Sequence, residues 1–174
     1  MAQICSRVRV DVGHGRYRII AGVVGDCPRA VAWLDRSGVL VSPGADLDEA
    51  IGNARAALDQ RAAAESRRRR RPDLPTALEF EEALRVLHAD ADERALLFAH
   101  ATAPEATADL AELAAATGLR SEGWVTVVYA GLAENLAKAL GLEPDGLAVL
   151  GEPTRGRWQM HEEVRAALAV LAEE

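Results

Sequence analysis

The sequence predicts an α+β chain, with a small antiparallel β-plus-helix unit at the N-terminus and a mainly helical unit after it. Three observations predict this. The hydrophobic period is 2 before Pro43 and close to 3.6 beyond it. Charge reverses along the chain: 13 arginines stand against 8 acidic residues through Arg71, a net +5, and 7 basic against 19 acidic residues from Pro72 onward, a net -12. At the reversal stands ESRRRRRPD, residues 65–73, with five arginines in a row and then Pro72. Together these divide the chain into a strand-rich unit (1–65), an Arg/Pro linker (66–75) and a helical unit (76–174).

The chain of 174 residues is 49% hydrophobic, which excludes global disorder. Aromatics are 4%, so the core is expected to be Leu, Val and Ala, a composition that favours helices. The start, MAQICSRVRV, has no apolar h-region, and no stretch approaches the roughly 20 apolar residues that span a bilayer. A cytoplasmic protein without a membrane partner is expected. Cys5 and Cys27 are then expected as reduced thiols. Neither has a His or second Cys at ligand spacing, so no metal and no cofactor is expected.

The elements follow in order. RVRVDV (7–12) alternates, with Val8, Val10 and Val12 on one face of a half-buried strand. Gly13-His14-Gly15 turns the chain into a second strand, Arg16 to Val24. A third, Ala30 to Leu34, meets a fourth, Val39 to Val41, through Asp35-Arg36-Ser37-Gly38, a hairpin signal. Pro43-Gly44 ends the strands. Asp46 with Glu49 caps a helix striped by Ile51, Ala54, Leu58 and Ala62. In the second unit, Thr76 with Glu79 opens a helix to about His88, and Asp90 with Glu93 opens another to about Ala103. Thr107 opens a third, ended by Gly118, and Ser121 opens the longest, to Leu140. Leu147 to Leu150 reads as a short strand, Gly151 to Gly156 as a tight loop, and Arg157 to Met160 as a return strand. Val164, Leu168 and Leu171 mark a last helix.

The segment TADLAELAAATGLRSEGWVTVVYAGLAENLAKAL (107–140) has a short capped helix, a glycine turn and a second helix, the helix-turn-helix layout. With the strand–loop–strand after it, the stretch from about residue 90 to 174 resembles a winged helix-turn-helix domain. Tyr129 and Gly131 in the long helix, with a Trp in the wing, make it similar to modules attached to bacterial restriction-type proteins. SPGADLDEAIGNARAAL (42–58) is similar to the strand–helix junction of HicB-type antitoxins, in which a small strand-helix domain grips a protein partner. DVGHGRYRIIAGVVGD, from Asp11, resembles the first phosphate hairpin of actin-like kinases. No second aspartate motif or adenine-loop glycines follow, so nucleotide binding is not expected.

The resemblance implies a non-enzymatic, DNA-associated winged-helix protein, a regulator or a component of a bacterial defence system. The alternative is a protein-binding adaptor or antitoxin-like inhibitor that uses the winged helix for protein contacts. Double-stranded DNA, a protein partner held through residues 1–65, and a homodimer are the partners in view. The candidate DNA contacts are Arg67, Arg68, Arg69, Arg70 and Arg71 in the run, Arg120 and Ser121 before the long helix, Lys138 on it, and Arg155 and Arg157 at the wing. The long helix turns Val125, Val128, Tyr129, Leu132, Leu136 and Leu140 inward and Gly123, Val127, Ala130, Glu134 and Lys138 outward. A base reader normally carries Arg, Lys, Asn or Gln at its N-terminal end, and none stands there. Trp124 and Trp158 are expected at core edges. His14, His88, His100 and His161 fall on separate elements without triad or metal spacing, and each is expected at the surface or a helix end.

Overall fold

The structure, a computed structural model, describes residues 9–173. Val8 and Cys5 lie outside them. The chain divides into two compact units between Arg68 and Arg69.

The first unit is a four-stranded antiparallel meander, β1 (Arg9–His14), β2 (Tyr17–Val24), β3 (Cys27–Leu34) and β4 (Ser37–Pro43), in sequential order, followed by helix α1 (Leu47–Ser66). All three turns are two residues long and begin on a left-handed residue: Gly15, Gly25 and Asp35 have φ of 56°, 63° and 51°. Two-residue hairpin turns demand such a conformation, because it matches the twist of the flanking strands. The strand ends therefore fall up to three residues from where alternation alone puts them. β1 runs on through His14, and β3 starts at Cys27 rather than Ala30.

Register fixes the two faces. Val12 pairs with Ile19 and Ile19 with Ala32, while Val10 pairs with Ala21 and Ala21 with Ala30. This face meets Ala50, Ile51, Ala54 and Leu58 of α1. The alanines at 21, 30 and 32 leave room for the helix, and full burial of Ile19, Ile51 and Leu58 contributes about 1.5–3 kcal/mol each. Asp46 caps α1 by accepting the Glu49 amide. Gly44 is required just before it, since a Cβ there would stand 2.3 Å from the Ala50 nitrogen.

The second unit contains α2 (Ala77–Leu87), α3 (Ala91–Thr102), a 3-10 turn (Pro104–Ala106), β5 (Thr107–Ala108), α4 (Leu110–Thr117), α5 (Glu122–Leu140), β6 (Gly151–Thr154), β7 (Arg157–Met160) and α6 (Glu162–Ala172). Strand order in its sheet is β5-β7-β6, all antiparallel. Thr76/Glu79, Asp90/Glu93 and Asp109/Glu112 each close a full capping box. Gly118 and Gly141 end α4 and α5 in the left-handed conformation. The core joins Phe80 and Leu84 of α2, Leu96 and Leu97 of α3, Leu113 of α4, Val125, Tyr129, Leu132 and Leu136 of α5, and Val164 and Leu168 of α6.

Two sequence expectations are corrected here. Thr107 does not open a helix: it lies in β5, paired with Gln159, and Asp109 is the cap. Leu147 to Leu150 is not a strand. The Leu150 and Gly151 amides both donate to the Leu147 carbonyl, which closes a turn, and the strand begins at Gly151. The wing loop is then only Arg155-Gly156, both left-handed with φ of 54° and 81°. The division between the two units falls within residues 66–75, between Arg68 and Arg69. Ser66 finishes α1, Arg71 bridges to Leu74, and Leu74 and Pro75 are buried.

Candidate functional site

Helix α5 packs against α2, α3 and α4, and Met160 of the β6–β7 hairpin joins the same core. α5 buries Val125, Tyr129, Leu132, Ala133, Leu136 and Ala137. Its other side is exposed and largely apolar: Trp124 is 42% and Val127 62% accessible, with Gly123 and Ala130 exposed and Gly131 half-buried among them. Trp124, expected at a core edge, therefore faces solvent, while Trp158 is half-buried in β7. Glu122 puts a carboxylate in the first turn of α5, where the helix dipole welcomes it and a phosphate would not.

Most candidate cations are already partnered within their own unit. In the first, Arg68 donates to Glu65 at 2.9 Å. Arg67 is exposed at the C-cap of α1. In the second, Arg69 grips Glu79 with Nε and Nη2 at 2.9 and 2.6 Å, and donates to the Pro72 carbonyl. That carboxylate, only 6% accessible at its side chain, also accepts the Thr76 amide. Arg70 pairs with Glu163 at 3.4 Å, Arg71 with Glu152 at 2.6 Å, and Lys138 with Glu134 at 2.6 Å. Arg157 is taken by Glu112 and the Thr107 carbonyl. Ser121 spends its hydroxyl on the Trp124 amide as the α5 cap. Arg120 and Arg155 are exposed, the latter at the hairpin tip. The carboxylates that pair with Arg69, Arg70 and Arg71 come from α2, α6 and β6, so their closeness was invisible in the sequence.

The four histidines lie on separate elements. His14 meets Asp59 at 2.8 Å in the first unit, and His88 caps α2 in the left-handed conformation. His161 donates to the Ala148 carbonyl at 2.9 Å. His100, expected near the surface, is 1% accessible. Its Nε2–H donates to the Trp158 carbonyl at 2.9 Å, which leaves Nδ1 to accept the Tyr129 hydroxyl at 2.6 Å. Burial pushes the His100 pKa down and the Tyr129 pKa up, so both stay neutral and satisfied. The pair ties α3 to α5 and β7. Among the described residues, no group of three or more His, Cys, Asp or Glu is placed to hold a metal, and no helix is long and apolar enough to cross a membrane.

The first unit offers its own surface. The sheet face opposite α1 aligns Ile20, Val31 and Val41 across three strands, with Val41 52% accessible. Trp33 lies beside them with its indole Nε1 buried and without a partner. Arg18 grips Asp11 through two nitrogens, holding that carboxyl below its usual pKa, and Arg9 and Arg29 border the strip. Sequence alternation marks these residues as outward-facing; that they join into an apolar strip follows only from register.

No family model, curated protein or solved structure matches the chain.

Proposed function

We propose that the chain is a non-enzymatic interaction adaptor whose second unit is a winged helix used for protein contact, with α5 as the contact helix. The order α3-β5-α4-α5-β6-β7 and the sheet order β5-β7-β6 support the winged-helix reading. One observation carries the choice of partner class: the solvent face of α5 is Trp124, Val127, Ala130 and Gly131, where a groove-reading helix needs long polar donors. A patch of exposed apolar surface is the mark of a protein interface. On the sheet face of the first unit opposite α1, the exposed Val41 adds a second, smaller apolar surface.

A second reading has its own observation. Arg120 and Arg155 are exposed, and together they support a weak duplex contact. Two phosphate contacts give log affinity a slope of only about -1.8 against log salt. Fluorescence anisotropy with a random duplex separates the readings. The adaptor predicts a dissociation constant weaker than about 10⁻⁴ M at physiological salt. Micromolar binding that is lost in Arg120→Ala with Arg155→Ala overturns it.

A further inference from the structure

We infer that the free edge of β1 is a homodimer contact, in which two copies pair antiparallel about a two-fold axis at Val10 and continue one another's sheet; the inference concerns the first unit and stands apart from the reading of α5. An edge strand leaves a row of backbone groups unbonded, and another extended backbone is what matches that row. Among the described residues β1 pairs with β2 alone. The two-residue turn after β1 closes on the hydrogen-bonded pair His14/Tyr17. Alternation along an antiparallel ladder then directs the N–H and C=O groups of Val12 and Val10 to Ile19 and Ala21, and those of Arg9, Asp11 and Gly13 outward.

The two edges of the sheet are built differently. β4 is blunted: Val39 is an extra residue between the pairs Gly38/Trp33 and Leu40/Ala32, the strand ends in Pro43, and Asn53 of α1 donates to the Pro43 carbonyl at 2.9 Å. β1 keeps an unbroken register from Arg9 to His14, with neither proline nor bulge. Helix α1 packs on β2, β3 and β4, so Val10 and Val12 at the margin stay half-buried on the helix side. Charge then selects the occupant. Arg9 and Asp11 are exposed on the opposite face, and Arg9 has no hydrogen-bond or ion-pair partner among the described residues. Arg18 bonds both oxygens of Asp11 without filling their acceptor sites. Only the outward-bonding residues can pair with one another, which limits the register. An axis at Arg9 or at Asp11 sets like charges face to face, and one at Val12 or Gly13 leaves the charges unpaired. An axis at Val10 sets Arg9 opposite Asp11 of the second copy and Asp11 opposite its Arg9, with main-chain bonds exchanged in both pairs and Val10 on Val10 on the helix side. Opposite charges directly across two strands stabilise the pairing and like charges oppose it. A two-fold interface requires this self-complementarity, because each patch must fit its own copy.

Sedimentation velocity on the full chain over about 1–300 µM is the test, with a dissociation constant on the order of 10–100 µM expected for so small a contact. Amide hydrogen exchange read by NMR should show Arg9 and Asp11 gaining protection as the dimer fills, whereas the Val10 and Val12 amides already bond within the monomer. Arg9→Pro removes an N–H that faces outward, so it spares the β1–β2 ladder and should weaken association at least about tenfold. Arg9→Glu alone and Asp11→Lys alone should each stay monomeric, while an equimolar mixture of the two chains should associate, because each new charge then faces its opposite on the other chain. Far-UV spectra confirm that the variants fold, and hydrogen exchange on the unsubstituted chain decides the question even where one does not. A chain that stays monomeric throughout overturns the inference, as does a dimer that leaves the Arg9 and Asp11 amides unprotected or is indifferent to Arg9→Pro. A mixture that associates no better than either variant alone overturns the axis at Val10.

Discussion

Replacing Arg69 with Ala probes the one arginine of the run that is built into a core. Its guanidinium is 16% accessible and faces a carboxylate that is 6% accessible. The variant leaves Glu79 buried with the Thr76 amide but without two charge-assisted bonds of 2.9 and 2.6 Å. Breaking a buried pair by removing one partner costs about 3–5 kcal/mol, because the remaining charge keeps its desolvation penalty. With a urea slope of roughly 1.5–2 kcal/mol/M for a unit of about 100 residues, the midpoint of the second unit should fall by about 1.5–3 M. The matched control is Arg68→Ala, the same substitution at a side chain 72% accessible; its pair with Glu65 is exposed on the arginine side, so the loss should stay under about 1 kcal/mol. Arg69→Met with Glu79→Leu should recover most of the loss, short of about 1 kcal/mol for the missing cap. Urea unfolding followed by far-UV circular dichroism reads all of these. An Arg69→Ala midpoint no lower than that of Arg68→Ala would refute the reasoning, since it would mean that Glu79 is solvated without its partner.

Two further outcomes follow. Burial lowers the His100 pKa below its unfolded value of about 6.5, so the unfolded chain binds the extra proton first; stability is fully present above that value and falls as pH drops through it, by up to about 1.4 kcal/mol per pH unit, a slope that His100→Asn should abolish in urea titrations run between about pH 7 and 5. Gly151→Ala places a Cβ 2.3 Å from the Gln159 carbonyl oxygen, a backbone atom that cannot yield without opening the β6–β7 pairing, so it should lower the thermal midpoint by about 10 °C or more, whereas Gly118→Asn, at an open left-handed cap, should shift it by under about 3 °C.

What the sequence determined by itself was local. Alternation at Val10 and Val12, the helical spacing of Ile51, Ala54 and Leu58, the caps Asp46, Thr76 and Asp90 with Glu three residues on, and the glycines at 118 and 141 fix element type, because each acts within one or two turns of chain. The outward face of α5 was legible for the same reason. β5 was not: two residues carry no period, and Thr107–Ala108 become a strand only because β7 offers its edge. The arginine run shows the limit most clearly. Five cations in series advertise a free basic patch, yet the partners of the last three lie 10, 93 and 81 residues away in sequence, at Glu79, Glu163 and Glu152. Only tertiary packing brings those carboxylates close, because Coulomb attraction depends on distance in space, which the order of residues does not record. The same holds for His100. Its sequence neighbours read as a helix end, and its burial was decided by the hydroxyl of Tyr129 and the carbonyl of Trp158, which satisfy both ring nitrogens deep in the core.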